Sequence, residues 1–365
     1  MIPRAEIQSL LDTYKAGELT VGVLGSHSAL DVMDGAKDEG LRTAVLCQEG
    51  RQKPYLAFDR LADHVIVLDK FAEITSEEIQ EELRSLGTIF VPHRAFTTYV
   101  PYDAIEDHFR VPLFGNRGLL RTEERVPGRN QYYLLERASI PHPKLFPKPE
   151  EIDRPVIVKV PESRRRSERA FFTAGTYADY RQKATKRIEA GIINQTDLEH
   201  ATIEELLLGT HFNFNYFYSP LENRVEFLGV DRRLQTNLHD FVSLPAKQQL
   251  ELDVELQNVE VGHMAATVRE SLLEKIFEIG ERFTETVKQE FPPGPIGPFA
   301  LQSVVTVDLD LVVYDVSPRV PGNPILATTS PYTKYYYGKT IGTGRRIAME
   351  LKRARDEHRL KEVVT

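Results

Sequence analysis

The sequence predicts a chain of two characters: an N-terminal doubly wound parallel α/β domain, followed by α+β lobes. Three observations carry that expectation. Strand-like apolar runs alternate with helical patterns from residue 20 to residue 93, the order of parallel βαβ units. Pro141, Pro143, Pro147 and Pro149 then punctuate the chain and mark a boundary near residue 140. Near the C-terminus, LQSVVTVDLDLVVYDVSPRV alternates at period two on either side of Asp308-Leu309-Asp310, as a hairpin does.

The N-terminal elements follow in order. TVGVLG is a strand ending at Gly25-Ser26-His27-Ser28, and a helical pattern runs from Ala29 to Glu39 and closes at Gly40. RTAVLC and HVIVLD are further strands, a helix spans about Ser76 to Leu86, and TIFVPH is the fourth strand. Ligands of such sheets bind at the carboxyl ends of the strands, where Ser26, His27 and Ser28 lie just before a helix. Hydroxyls and free N–H groups there favour a phosphate. The alternative reading makes Ser28 a plain N-cap and His27 a satisfied structural histidine.

A loop-rich passage from Val111 to Gly128 leads to a helix from Asn130 to Ala138. RPVIVKV is a short apolar strand with Lys159 pointing out of it, either a snorkelling edge residue or a phosphate ligand. ESRRRSERAFFTA is a basic hairpin or loop, and Tyr177 to Ala190 is a helix. ATIEELLLG, HFNFNYFYSP and RVEFLGVDRRLQTN are strand candidates, and RESLLEKIFEIGERFTETVKQEF is a long helix. The hairpin strands run from about Phe299 to Val307 and from Leu311 to Arg319. Alternation there places Gln302 and Asp315 among the polar positions of neighbouring strands, with Ser317 and Arg319 on the face of Asp315. Oxygen ligands beside a guanidinium suit Mg²⁺ and phosphate; the bland alternative is a surface hairpin with solvated charges. GRRIAMELKRARDEH closes the chain as a helix with a solvated basic face. The expected divisions are residues 1–127, 128–210 and 211–365.

Composition narrows the function. A length of 365 residues allows a large core, and a net charge of −8 argues against general nucleic-acid binding. The single cysteine, Cys47, excludes an intrachain disulfide and fits a reducing compartment. MIPRAEIQSLLDTYKAG is an amphipathic start rather than a signal peptide, and no apolar run is long enough to span a bilayer. These features predict a soluble cytoplasmic protein.

The order of parts (small doubly wound domain, lysine strand, loop, acidic hinge strand, carboxylate-bearing hairpin) resembles the ATP-grasp ligases. More closely, the chain resembles the archaeal formate-dependent formaminoimidazole carboxamide ribonucleotide synthetase family of purine (IMP) biosynthesis. The segments that carry this are GSHSALDVMDGAKDEGLRTAVLC, VPLFGNRGLLR, PEEIDRPVIVKV, YFYSPLENRVEFLGVDRR, LPAKQQLEL, RESLLEKIFEIG, PPGPIGPFALQS and SPYTKYYYGKTIGTGRRIAMELK, spread over nearly the whole chain. The resemblance implies ATP-grasp lobes and a reaction in which ATP phosphorylates formate. The amine of aminoimidazole carboxamide ribonucleotide then attacks the formyl phosphate. It implies ATP and Mg²⁺, for which Mn²⁺ can substitute, small-molecule partners without nucleic acid or membrane, and assembly into closed oligomers. By the same resemblance Gln302 and Asp315 hold the metal and Arg319 is the transition-state arginine. Lys159 reaches an ATP phosphate, Glu204 and Glu205 meet adenine and ribose, and Gln235 stands near the nucleotide. Ser26, His27, Ala95 and His263 fall on the substrate side.

The chain also departs from the family's pattern. The glycine-rich loop after the lysine strand is Glu162-Ser163-Arg164-Arg165-Arg166-Ser167-Glu168-Arg169, and His-Gly-Ser is His93-Arg94-Ala95. Gln235 stands for Glu, His263 for Asn and Asp315 for Glu, while Gly-Gly-Thr-Asn shortens to Gly322-Asn323. Such changes leave two alternatives open: a paralogue joining another acid and amine, or a nucleotide-binding protein without turnover.

Overall fold

The computed structural model describes residues 1–14, 19–124, 128–160, 171–235, 238–252 and 260–365. Three sheets follow one another along the chain. The first contains β1 (Thr20–Leu24), β2 (Arg42–Gln48), β3 (His64–Leu68) and β4 (Thr88–Phe90), all parallel in the order β3-β2-β1-β4. Every residue of β1 is buried, as expected of a central parallel strand covered on both faces. The chain steps outward from β1 to β3 and then crosses back to the other side of β1. The ends of β1 and β4 therefore flank a topological switch point, the crevice where such sheets hold ligands.

The second sheet joins β5 (Val156–Lys159), β6 (Phe172–Ala174) and β7 (Thr202–Glu205) in the antiparallel order β6-β5-β7. Val156, Val158, Phe172 and Ile203 face the helix Tyr177–Glu189 through a small apolar cluster. β5 is the central strand, which corrects the edge reading of Lys159: its side chain is buried, not snorkelling.

The third sheet is antiparallel, with β8 (Thr210–Ser219), β9 (Arg224–Gln235), β10 (Glu260–Ala266), β11 (Gly297–Val305) and β12 (Leu311–Ser317) ordered β10-β9-β8-β11-β12. One face packs on the helix Leu273–Glu290, whose Ile276, Ile279, Phe283 and Val287 meet Phe214, Tyr216, Phe299, Leu301 and Val313. Gly280 lets that helix lie on the sheet, because a Cβ there would come within 2.5 Å of the Tyr216 ring. Three register shifts break strict alternation, between Asn215 and Tyr216, between Gln302 and Ser303, and between Glu260 and Gly262. At the second, Gln302 pairs with Asp315 and Ser303 with Val313, so Tyr314 is the extra residue of a bulge. Without it, Asp315 would share the core face of Leu311 and Val313. With it, Val316 joins the core and Asp315 and Ser317 turn to the opposite face.

The helix Thr343–Asp356, followed only by the short helix Leu360–Val363, returns to the helix Ala29–Asp38. The two backbones touch: a Cβ on Gly35 would lie 2.1 Å from the Arg345 nitrogen. Its basic residues are not all solvated, contrary to expectation. Arg346 is buried, bonding Glu226 at 2.7 Å and Glu350 at 2.9 Å, and Arg345 reaches Glu39 at 2.9 Å.

Candidate functional site

The face of the third sheet turned away from the long helix borders a cavity of about 270 Å³, and His27 and Arg94 from the switch point of the first sheet line it as well. Strand order sets the row of groups across this face. His263 comes from β10, Asp231 and Arg233 from β9, Asn213 from β8, Gln302 from β11, and Asp315 and Ser317 from β12. Period-two alternation along β8 keeps Asn213 and Asn215 on one face and Phe214 and Tyr216 in the core.

A buried polar network anchors one end. Asp231 is fully buried and accepts hydrogen bonds from the side-chain amides of Asn213 and Asn215, each at 2.7 Å. His263 donates its Nδ1–H to Asp231 at 2.5 Å and its Nε2–H to Glu260 at 2.8 Å. Burial by itself pushes this imidazole toward the neutral form. The bonds to Asp231 and Glu260 more than offset it and raise the pKa to about 9, so His263 is a cation at neutral pH. Arg233 pairs with the same Glu260 at 2.9 Å.

Arg319 stands at the other side, buried, with Nη2 and Nε on the two carboxylate oxygens of Glu123 at 2.6 and 3.3 Å. Arg94 reaches Glu123 as well, at 3.2 Å. One carboxylate thus aligns two guanidinium groups along the cavity wall. His27 and His93 follow β1 and β4, their rings stacked at 5.6 Å. His93 is a satisfied structural histidine: Nε2–H donates to the Leu24 carbonyl at 2.9 Å and Nδ1 accepts from the Ala95 N–H at 3.2 Å. Burial lowers its pKa to about 4. His27 opens onto the cavity.

Gln302 and Asp315 are direct register partners on the cavity face. The Gln302 amide nitrogen donates to Ser317 Oγ at 3.3 Å, and its Oε1 is buried without a hydrogen-bond partner. A buried carbonyl oxygen left unpaired beside a carboxylate fits a hard cation. No group of three or more His, Cys, Asp or Glu side chains placed to hold a metal occurs among the described residues. An ion there would complete its shell with phosphate oxygens and water, as Mg²⁺ does.

Other residues singled out from the sequence lie elsewhere. Lys159 and Glu204 form a buried ion pair, with Tyr132 donating its hydroxyl to Glu204 and Lys159 lying 5.3 Å from the Tyr314 ring centre. Glu205 points to the other side of β7 and meets Arg154 at 3.2 Å. Ser26 shapes the turn after β1, its carbonyl accepting from the Ala29 N–H at 3.0 Å, and does not line the cavity. Ala95 is buried in the first turn of the helix Arg94–Tyr99, and Gln235 ends β9 opposite Glu260. The arginine run 164–169 lies outside the described residues.

Sequence reasoning passed over Asp231, Asn213, Glu260, Arg233, Glu123 and Arg94 as site residues. The alternation in HFNFNYFY signalled the asparagines, two polar positions at period two among aromatics. Glu123 had no signal, because its partners Arg94 and Arg319 are remote in sequence.

Comparison with known proteins agrees with this architecture. A family model described as a domain of unknown function (DUF1297) matches residues 179–365, and one described as a protein of unknown function (DUF1246) matches residues 21–146. The chain is 45% identical over 368 residues to the 5-formaminoimidazole-4-carboxamide-1-(beta)-D-ribofuranosyl 5'-monophosphate synthetase of Methanopyrus kandleri, with 100% of both chains covered. Identity to the protein of that name from Methanocaldococcus jannaschii is 41%, covering 97% of each chain. Among solved structures, the IMP biosynthesis protein PurP from Thermococcus kodakaraensis superposes with a TM-score of 0.74 and 29% identity, covering 94% of this chain and 100% of that one. The ADP complex of N5-carboxyaminoimidazole ribonucleotide synthetase gives a TM-score of 0.59 at 14% identity, over 88% of this chain and 77% of that one, a likeness of fold alone. The chain has the ATP-grasp fold and belongs to the family of the 5-formaminoimidazole-4-carboxamide ribofuranosyl monophosphate synthetases.

Proposed function

We propose that this protein is a cytoplasmic ATP-dependent carbon–nitrogen ligase of purine biosynthesis that formylates aminoimidazole carboxamide ribonucleotide. A formate oxygen attacks the γ-phosphorus of ATP and ADP leaves. The amine then attacks the carbon of formyl phosphate, and phosphate departs with the electron pair of the broken C–O bond. The observation that carries this reading is the convergence of Gln302, Asp315, Arg319 and His27 on one cavity in a member of this family.

The charges support it. Arg94, Arg233, Arg319 and the His263 cation line the cavity together with Glu123, Asp231, Glu260 and Asp315, four against four. A nucleoside triphosphate entering a balanced cavity must bring countercharge; a divalent ion, which Gln302 and Asp315 would hold, would supply it and polarise the phosphate oxygens. Arg319, aligned by Glu123, is placed for charge developing on the transferred phosphoryl group. Lys159 turns from Glu204 to an ATP phosphate when the nucleotide binds, and Glu204 is left to the nucleoside.

The test is ADP release by the purified protein with Mg²⁺-ATP, formate and the ribonucleotide, each omitted in turn. Release that requires all three is the expected result. Release that persists without formate or without the ribonucleotide overturns the substrate assignment, and its absence under every condition overturns the activity.

A further inference from the structure

His27 holds a conformation and a hydrogen-bond pattern that a substrate-contacting role alone does not require. Its backbone is left-handed, with φ of 51°, uncommon for a residue bearing a Cβ. The next residue, Ser28, precedes the helix Ala29–Asp38 yet makes no side-chain cap to it. Its hydroxyl instead donates to the Pro321 carbonyl at 2.7 Å and stands 2.7 Å from His27 Nδ1. One hydroxyl has one hydrogen. With that hydrogen committed to a carbonyl, the contact to Nδ1 is satisfied only if Nδ1 carries a proton and donates it. The tautomer is thereby set: Nδ1–H to Ser28 to Pro321, with the lone pair on Nε2.

That lone pair faces open space. A Cβ on Gly322 would stand 3.2 Å from His27 Nε2 and 3.1 Å from His263 Nε2. A side chain at this position would crowd both nitrogens. The cations facing the ring are Arg319, Arg94 and His263, with neutral His93 stacked on it. The His27 side chain is exposed toward the cavity, yet the protein atoms packed around the ring and, second, these charges hold its pKa below the ordinary range, so the ring is an acceptor at neutral pH.

We propose that His27 Nε2 is the general base that takes the proton from the attacking amine. The inference rests on the ligase reading above. As the C–N bond forms and the C–O bond to phosphate breaks, one amine N–H proton passes to Nε2. The surrounding cations then disfavour the imidazolium, and the proton leaves to the departing phosphate, which has taken the electron pair. An aromatic amine is acidic once it has attacked, so a weak base in the correct protonation state suffices.

His27→Asn keeps a donor for Ser28 and has no counterpart of Nε2; His27→Ala leaves space for exogenous imidazole. Formyl phosphate formation is followed separately, by positional isotope exchange in labelled ATP with formate and no amine. The expected result is that exchange persists in both variants, and urea unfolding with a wild-type midpoint shows that they fold. Against that, kcat for formylation falls by roughly 10²-fold or more, KM for the ribonucleotide changes little, and imidazole restores part of the rate to His27→Ala. Unchanged kcat, a loss confined to KM, or no rescue by imidazole overturns the base assignment while exchange leaves the ligase reading standing. Wild-type protein without formate-dependent exchange overturns both.

Discussion

Replacing His263 by glutamine removes the cation that bridges Asp231 and Glu260 and leaves two carboxylates around a neutral side chain. The size of the loss follows from the shift. Raising the imidazole pKa from 6.5 to about 9 corresponds to about 3 kcal/mol of stabilisation at about 1.4 kcal/mol per unit. This is the order expected when one partner of a buried ion pair is deleted. The folded state holds the proton more tightly than the unfolded chain. The contribution is therefore complete below the unfolded value of 6.5 and declines as pH rises through about 9. Urea unfolding of wild type and His263→Gln at pH 6 and pH 10 measures both quantities. The gap between the two proteins is expected to be about 3 kcal/mol at pH 6 and to narrow strongly at pH 10. Nitrogen NMR of the ring should show both positions protonated at pH 7. A titration midpoint near 6.5, or a stability gap independent of pH, would refute the reasoning.

Three further perturbations test other parts of the site. Asp315→Asn removes the charge paired with Gln302 and should lower Mg²⁺-dependent ADP release by about 10²-fold or more; turnover at the wild-type rate over a Mg²⁺ titration would contradict the metal assignment. Gly322→Ala puts a methyl group against both His27 and His263 and should cost about tenfold in kcat/KM for the ribonucleotide, whereas wild-type kinetics would show that the space is not used. Arg346→Met strands the buried carboxylates of Glu226 and Glu350 and should destabilise the fold by about 3–5 kcal/mol in urea unfolding; a loss under about 1 kcal/mol would mean the network contributes little.

Local periodicity made much of this protein legible. The parallel strands β1 to β4, the turn at Ser26-His27-Ser28, the long helix ending at Glu290 and the Gln302–Asp315 hairpin were each visible within about twenty residues, because apolar spacing alone sets which side of a strand or helix is buried. β10 was not visible. Its sequence EVGHMAA has no apolar alternation, since the strand is stabilised by pairing with β9 rather than by burying a face of its own. Nor did spacing reveal the bulge at Tyr314, and Asp315 reaches the cavity only through it. The sequence left Lys159 either an edge residue or a phosphate ligand, because the strands flanking it come from residues 172–174 and 202–205, which only folding brings alongside. The strand β9 was visible, but not the network on it, because Asn213, Asn215 and His263 come from other strands to surround Asp231. By itself, then, the sequence determined where the strands and helices lie and which residue types were available for chemistry. Tertiary structure decided which carboxylate neutralises which cation, and which nitrogen of His27 stays free. Those outcomes depend on contacts between segments hundreds of residues apart, such as Ser28 with Pro321, and no local pattern encodes them.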